Sequence, residues 1–178
     1  TPDPGPLSAW PTFCGHLDQR LSQQPMAVIL RAKAMGAEEY CLLATEVAAI
    51  CRRHQVPLQL AHSCAVDGAI GSHLDSTALH SYIAEAVPLQ GLVTGSCHTL
   101  EDMQRAEQAG LGALLLSPVQ ATATHPDAIP LGWERFQQLA SQVSIPVFAL
   151  GGVGPSDLGL ARRYGAYGIA AIRGLWEP

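Results

Sequence analysis

The chain has 178 residues, 48% of them hydrophobic and 14% charged, a mix that suits one globular domain with buried strands and excludes a disordered chain. Ten basic residues against fifteen acidic ones leave a formal charge of −5, so there is no basic footprint for nucleic acid. No apolar run has the length of a membrane span and no signal peptide is visible, so we expect no membrane partner and a cytoplasmic protein.

The segment Thr1 to Pro11 holds four prolines and a glycine and reads as loop. Phe13, Leu17 and Leu21 recur every four residues and predict a helix over 13–23. Met26 to Arg31 is a continuous apolar run ending in a charge, the pattern of a buried parallel strand. A long amphipathic helix follows over 38–53. Its acidic start, Glu38-Glu39, and basic end, Arg52-Arg53, both match the helix dipole. Strands are predicted at 57–61 and 70–74, then a helix from a Ser76 cap to Ala86. A strand over 89–97 leads to a helix that Thr99 caps and Ala109 ends, and 112–117 is strand again. Pro118 to Leu131 carries three prolines and no period, so it reads as a long rim loop. A helix over 133–142 and a strand over 145–150 come next. The chain then breaks at Gly151-Gly152-Val153-Gly154, resumes as helix from Pro155 to Tyr164, and ends on a strand over 167–172 and a break at Arg173-Gly174.

Seven strands alternating with helices mean an α/β protein with a parallel sheet. We expect a TIM (β/α)8 barrel in which Thr1-Pro2 is the tail of a truncated first strand. The five cysteines are odd in number and contain no C-x-x-C, and Cys41 and Cys51 lie in an apolar helical pattern, so we expect free thiols.

Parallel strands bring their C-terminal ends to one rim, where chemistry collects. Several residue sets stand there. Arg31 and Lys33 leave the first predicted strand as two charges suited to a phosphate or diphosphate, or simply to solvent. Ser96 and His98 end the strand over 89–97. Thr122, Thr124 and His125 share the long loop, where hydroxyls and an imidazole can bind phosphate or move a proton, or form an ordinary polar loop. Gly151-Gly152 and Ile172-Arg173 sit where barrels of this type commonly bind phosphate, although plain turns would also use glycine. His62, His73 and His98 lack metal-ligand spacing, and we expect no metal site.

These segments also carry a resemblance. Leu30-Arg31-Ala32-Lys33, Ser72-His73-Leu74, Gly95-Ser96-Cys97-His98, Ser117-Pro118-Val119-Gln120-Ala121-Thr122, Pro130-Leu131-Gly132, Ile145 to Gly152 and Gly165 to Ala170 occur in order. Together they resemble the thiamine-phosphate synthase/TenI family over nearly the whole chain. Ser117 to Trp133 and Ala171 to Trp176 are similar to the TenI-like domain that follows a Nudix (MutT-like) domain in bacterial fusions, which would make this a C-terminal piece. The resemblance implies a barrel that binds a thiazole phosphate at Gly151, Gly152, Ile172 and Arg173, with diphosphate contacts from Arg31, Lys33, Ser96 and Thr122. The synthase joins a pyrimidine diphosphate to the thiazole phosphate with Mg2+. Yet Ala61-His62 and Ala78 stand where the family's magnesium aspartates would be, Ile29 replaces a Gln, His125 a Lys, and Pro118 the histidine of some tautomerases.

The reading that follows is a TenI-like protein binding a small phosphate ligand without cofactor, acting as a metal-independent thiazole tautomerase with His125 as the first base candidate and His98 as the second. The alternatives are thiamine-phosphate synthase itself, with Mg2+, and a non-catalytic precursor-binding module of a Nudix fusion. A homodimer is left open.

Overall fold

Short apolar runs become strands and the amphipathic stretches between them become helices, as buried strands and half-buried helices require. The computed structural model describes residues 1–85, 91–122 and 128–176. The strands are β1 (Val28–Leu30), β2 (Leu58–Leu60), β3 (Ala69–Leu74), β4 (Leu92–Cys97), β5 (Ala113–Leu116), β6 (Val147–Leu150) and β7 (Gly168–Ala170). The helices are α1 (Trp10–Gln23), α2 (Ala37–Arg53), α3 (Ser76–Glu85), α4 (Leu100–Gln108), α5 (Gly132–Ala140), α6 (Leu158–Arg163) and α7 (Arg173–Trp176). Strand order follows chain order, and every described pairing is parallel. No helix among the described residues is long and apolar enough to cross a membrane.

The chain divides into two compact units, Thr1–His73 with Leu89–Leu92, and Leu74–Pro88 with Val93–Pro178. In the first, α1 buries Trp10, Phe13, Leu17 and Leu21 on one stripe, and α2 buries Tyr40, Leu43, Ala44, Val47, Ala48, Ile50 and Cys51. Asp18 of α1 accepts hydrogen bonds from Arg53 and pairs with His54, each at 2.7 Å. The Tyr40 hydroxyl donates to Leu30 O at 2.9 Å and accepts from Ala61 N at 3.0 Å, so one phenol links the exits of β1 and β2 to α2. Burial pushes its pKa up to about 12, which keeps it a donor. Buried Gln59 donates to Ser72 O and Leu92 O, satisfying its amide. Thr1 lies against β1, its backbone nitrogen donating to Ile29 O at 2.7 Å and its hydroxyl accepting from Arg31 N at 3.2 Å.

The second unit is built on β5, whose four residues are all buried, with Phe136, Leu139, Val147 and Ala149 also in its core. The Thr99 hydroxyl caps α4 by accepting from Asp102 N at 3.1 Å.

Several expectations shift. α1 begins at Trp10, because Pro11 sits in the first turn, where its missing N–H costs nothing. Ser76 is the first residue of α3 and not its cap; Asp75 does the capping, its Oδ1 accepting from Ala78 N at 3.0 Å. The short helix α7 was not foreseen. Cys41 and Cys64 form a disulfide, against the expectation of free thiols. They stand 23 positions apart in sequence, and only the fold brings the start of α2 beside the segment after β2. Cys14, Cys51 and Cys97 are free.

The shared phenol gives a first prediction. Tyr40→Phe keeps the ring but removes one hydroxyl from the buried Leu30 carbonyl and the part-buried Ala61 N–H, and should lower stability by about 1–2 kcal/mol. Urea unfolding should show a lower midpoint with an unchanged slope.

Candidate functional site

In the second unit the chain continues past the ends of β5 and β6 as two segments that stay hydrogen-bonded to each other. Val119 N donates to Leu150 O and Gln120 N to Gly151 O, both at 2.9 Å. This draws Pro118 to Ala121 onto the Gly151-Gly152 turn. A Cβ on Gly151 would lie 2.8 Å from Pro118 Cα, and one on Gly152 2.5 Å from Ala121 O. Their φ angles are +91° and +69°, so glycine is demanded both by space and by backbone conformation. The long loop returns to the same wall, with Leu131 N donating to Pro118 O and Gly132 N to Val119 O.

The turn after β7 meets this one. A Cβ on Gly174 would stand 3.1 Å from Gly154 Cα and from Val153 O. Asp157 Oδ2 accepts from Gly154 N at 2.9 Å and fixes the far side of the first turn. Among the described residues, no hydrogen bond occupies the N–H groups of Gly152, Arg173 and Gly174. Adjacent turns with spare amides are suited to an anion. Arg173 is exposed and makes no ion pair among the described residues, while the Ile172 carbonyl is taken up by Leu175 N and Trp176 N.

His98 stands beside this wall. Its Nδ1 lies 2.9 Å from Ser117 O and 3.4 Å from Ser117 Oγ. A carbonyl only accepts, so Nδ1 carries the proton and Nε2 is left as an acceptor. Nothing in the sequence singled out the Ser117 carbonyl as the group that orients His98, because every residue has such a carbonyl. Ser96 and Thr122 each have a partner within the chain. Thr124 and His125 lie outside the described residues.

The first unit holds the other charges. Arg31 is half-exposed and Lys33 exposed as the chain leaves β1, and Lys33 already has a partner within the chain. His62 follows β2 with its ring 4.7 Å from that of Tyr40, inclined at 55°. His73 is buried in β3, one residue before the end of the strand.

Magnesium prefers several hard oxygen ligands. The residues present do not fit it. Ala61, His62 and Ala78 offer no carboxylate, and Asp75 is committed to capping α3. Among the described residues no three His, Cys, Asp or Glu side chains cluster to hold a metal.

The packing of the turn predicts that Gly152→Val forces a β-branched residue into the left-handed region and against Ala121 O. The cost should be roughly 1–3 kcal/mol of strain, with phosphate binding lost by calorimetry while far-ultraviolet circular dichroism is kept.

The chain matches the family model described as thiamine monophosphate synthase over residues 9–175. It is 31% identical over 163 residues to an Aquifex aeolicus relative carrying a thiamine-phosphate synthase name, an alignment covering 90% of this chain and 88% of that one. It is 33% identical over 151 residues to the thiamine-phosphate synthase of Herpetosiphon aurantiacus, covering 82% and 72%. The solved thiamine phosphate pyrophosphorylase of Pyrococcus furiosus superposes with a TM-score of 0.73 at 22% identity, over 89% of this chain and 78% of that one, a likeness of fold. The alternation of strands and helices with this likeness makes the fold an α/β one of TIM-barrel type. The chain belongs to the thiamine monophosphate synthase family.

Proposed function

We propose that this chain binds a thiazole phosphate and joins it to a pyrimidine diphosphate, releasing diphosphate, as a thiamine-phosphate synthase. The observation that carries the reading is the pair of touching turns, Gly151–Gly154 and Arg173–Gly174, with their spare amides. These turns would hold the single phosphate of the thiazole, with Arg173 adding charge. Family membership and the names of the relatives support the transfer. The leaving diphosphate needs cations where it departs, and Arg31 and Lys33 would supply them. No step is assigned to magnesium, since the residues at Ala61, His62 and Ala78 do not suit it. We extend the fold in the same way to a (β/α)8 barrel, because Thr1 lies along β1 as a neighbouring strand end would.

A second reading rests on His98. With Nδ1 held by Ser117 O, Nε2 is free to take a proton from a bound thiazole and return it, which is what a metal-independent tautomerase needs. His125 would be the other candidate for that task.

Purified protein given both precursors tests the two together, with thiamine phosphate read by fluorescence after oxidation and thiazole isomerisation read by ultraviolet absorbance. We expect thiamine phosphate to form. Arg31→Ala should raise KM for the pyrimidine diphosphate by roughly tenfold or more, the scale of one charged hydrogen bond. His98→Gln should spare that reaction and lower any isomerisation by ~10²-fold. Isomerisation without condensation would favour the second reading, and no binding of the thiazole phosphate would remove both.

A further inference from the structure

Beyond the hydrogen bond of Ala61 N to the Tyr40 hydroxyl at its start, the segment after β2, residues 61–68, is fastened to α2 at three further points. His62 packs on Tyr40. Cys64 is bonded to Cys41. Asp67 receives Arg52 at both its carboxylate and its carbonyl, each at 3.1 Å. The last contact is between exposed groups, with the Asp67 side chain fully so, and fastens weakly. The ring contact involves one half-buried imidazole. The covalent link is therefore the strong one, and it is the one a change in redox conditions can remove.

We propose that Cys41–Cys64 is a redox site whose reduction frees the segment after β2 and alters anion binding at the neighbouring exit of β1. Both cysteines are half-buried, so a thiolate reagent can reach them. The attacking thiol forms a mixed disulfide with one sulfur and expels the other as thiolate. A second thiol then resolves it. The protein disulfide gains two electrons and two protons, and two thiols, or one dithiol, become a disulfide. The three free cysteines do not compete well. Burial pushes Cys51 and Cys97 up to about 12, and burial with the Glu46 carboxylate pushes Cys14 up to about 11, so little thiolate forms at any of them.

The link to the rim is short. Ala61 N donates to Leu30 O at 3.0 Å as well as to the Tyr40 hydroxyl, so the first residue of the segment lies beside Leu30-Arg31. With the bond intact, His62 is held on Tyr40 next to that exit. With the bond broken, the segment beyond Ala61 keeps the His62 ring contact and the Arg52–Asp67 contact, both between exposed or half-exposed groups. The consequence for Arg31 and Lys33 rests on the diphosphate reading above, whereas the redox chemistry and the release of the segment do not.

The test uses the whole chain, air-oxidised or treated with dithiothreitol. Alkylation under denaturing conditions should label three cysteines before reduction and five after, with Cys41 and Cys64 the added pair. Hydrogen exchange of the amides over 62–68 should speed up at least about tenfold on reduction, while β5 and β6 stay protected. Inorganic diphosphate should bind several-fold more weakly to the reduced protein by calorimetry, and Cys41→Ser should bind like the reduced form whatever the redox condition. Cys14→Ser should retain the redox response. Labelling of Cys41 and Cys64 in the untreated protein would overturn the proposal, as would unchanged exchange over 62–68 after reduction. Faster exchange with unchanged diphosphate affinity would overturn the control of anion binding. Diphosphate binding to neither form would count against the diphosphate reading and against that control alike, and the alkylation and exchange results would still decide the release of the segment.

Discussion

Two main-chain hydrogen bonds govern the site: Val119 to Leu150, and Gln120 to Gly151. They continue the pairing of β5 and β6 beyond the residues counted as strand. Everything near the spare amides depends on them. They bring the Pro118–Ala121 backbone so close to the next turn that no side chain fits at Gly151 or Gly152. They also place Ser117 O where it can hold His98. A main chain approached that closely from one side can offer its N–H groups only to the other, so the same constraint that excludes a Cβ also aims the turn.

Most of the scaffold could be read directly from the chain. The runs at 26–31, 112–117 and 145–150 are mostly apolar, and they correspond to β1, β5 and β6, though each strand proper is shorter than its run. The extra residues Ala27, Gly112 and Pro146 are exposed and lie outside the strands, so hydrophobicity overstates strand length. Thr99 announced its helix because a β-region hydroxyl before an acidic first turn has one common use. Ser76 misled for the same reason: Asp75 beside it can cap as well, and the backbone chose the carboxylate.

The site was legible where it depends on residue type and hidden where it depends on proximity. Glycines at strand ends are visible in any sequence, and Gly151, Gly152 and Gly174 do line touching turns. The disulfide between Cys41 and Cys64 was not visible. Neither cysteine lies in a motif, and their meeting follows from the way α2 lies along the exits of β1 and β2, which Tyr40 organises.

The return of the long loop to its own starting point has a wider meaning. Leu131 and Gly132 bond back to Pro118 and Val119, so the loop is closed at its base by main-chain groups that any sequence could supply. Closing a longer loop costs little more than closing a short one, since the penalty grows only with the logarithm of length. Insertions and deletions between 122 and 131 are thus decoupled from the wall that holds the glycine turn. Natural drift or laboratory evolution can rewrite that stretch with the touching glycine turns inherited unchanged.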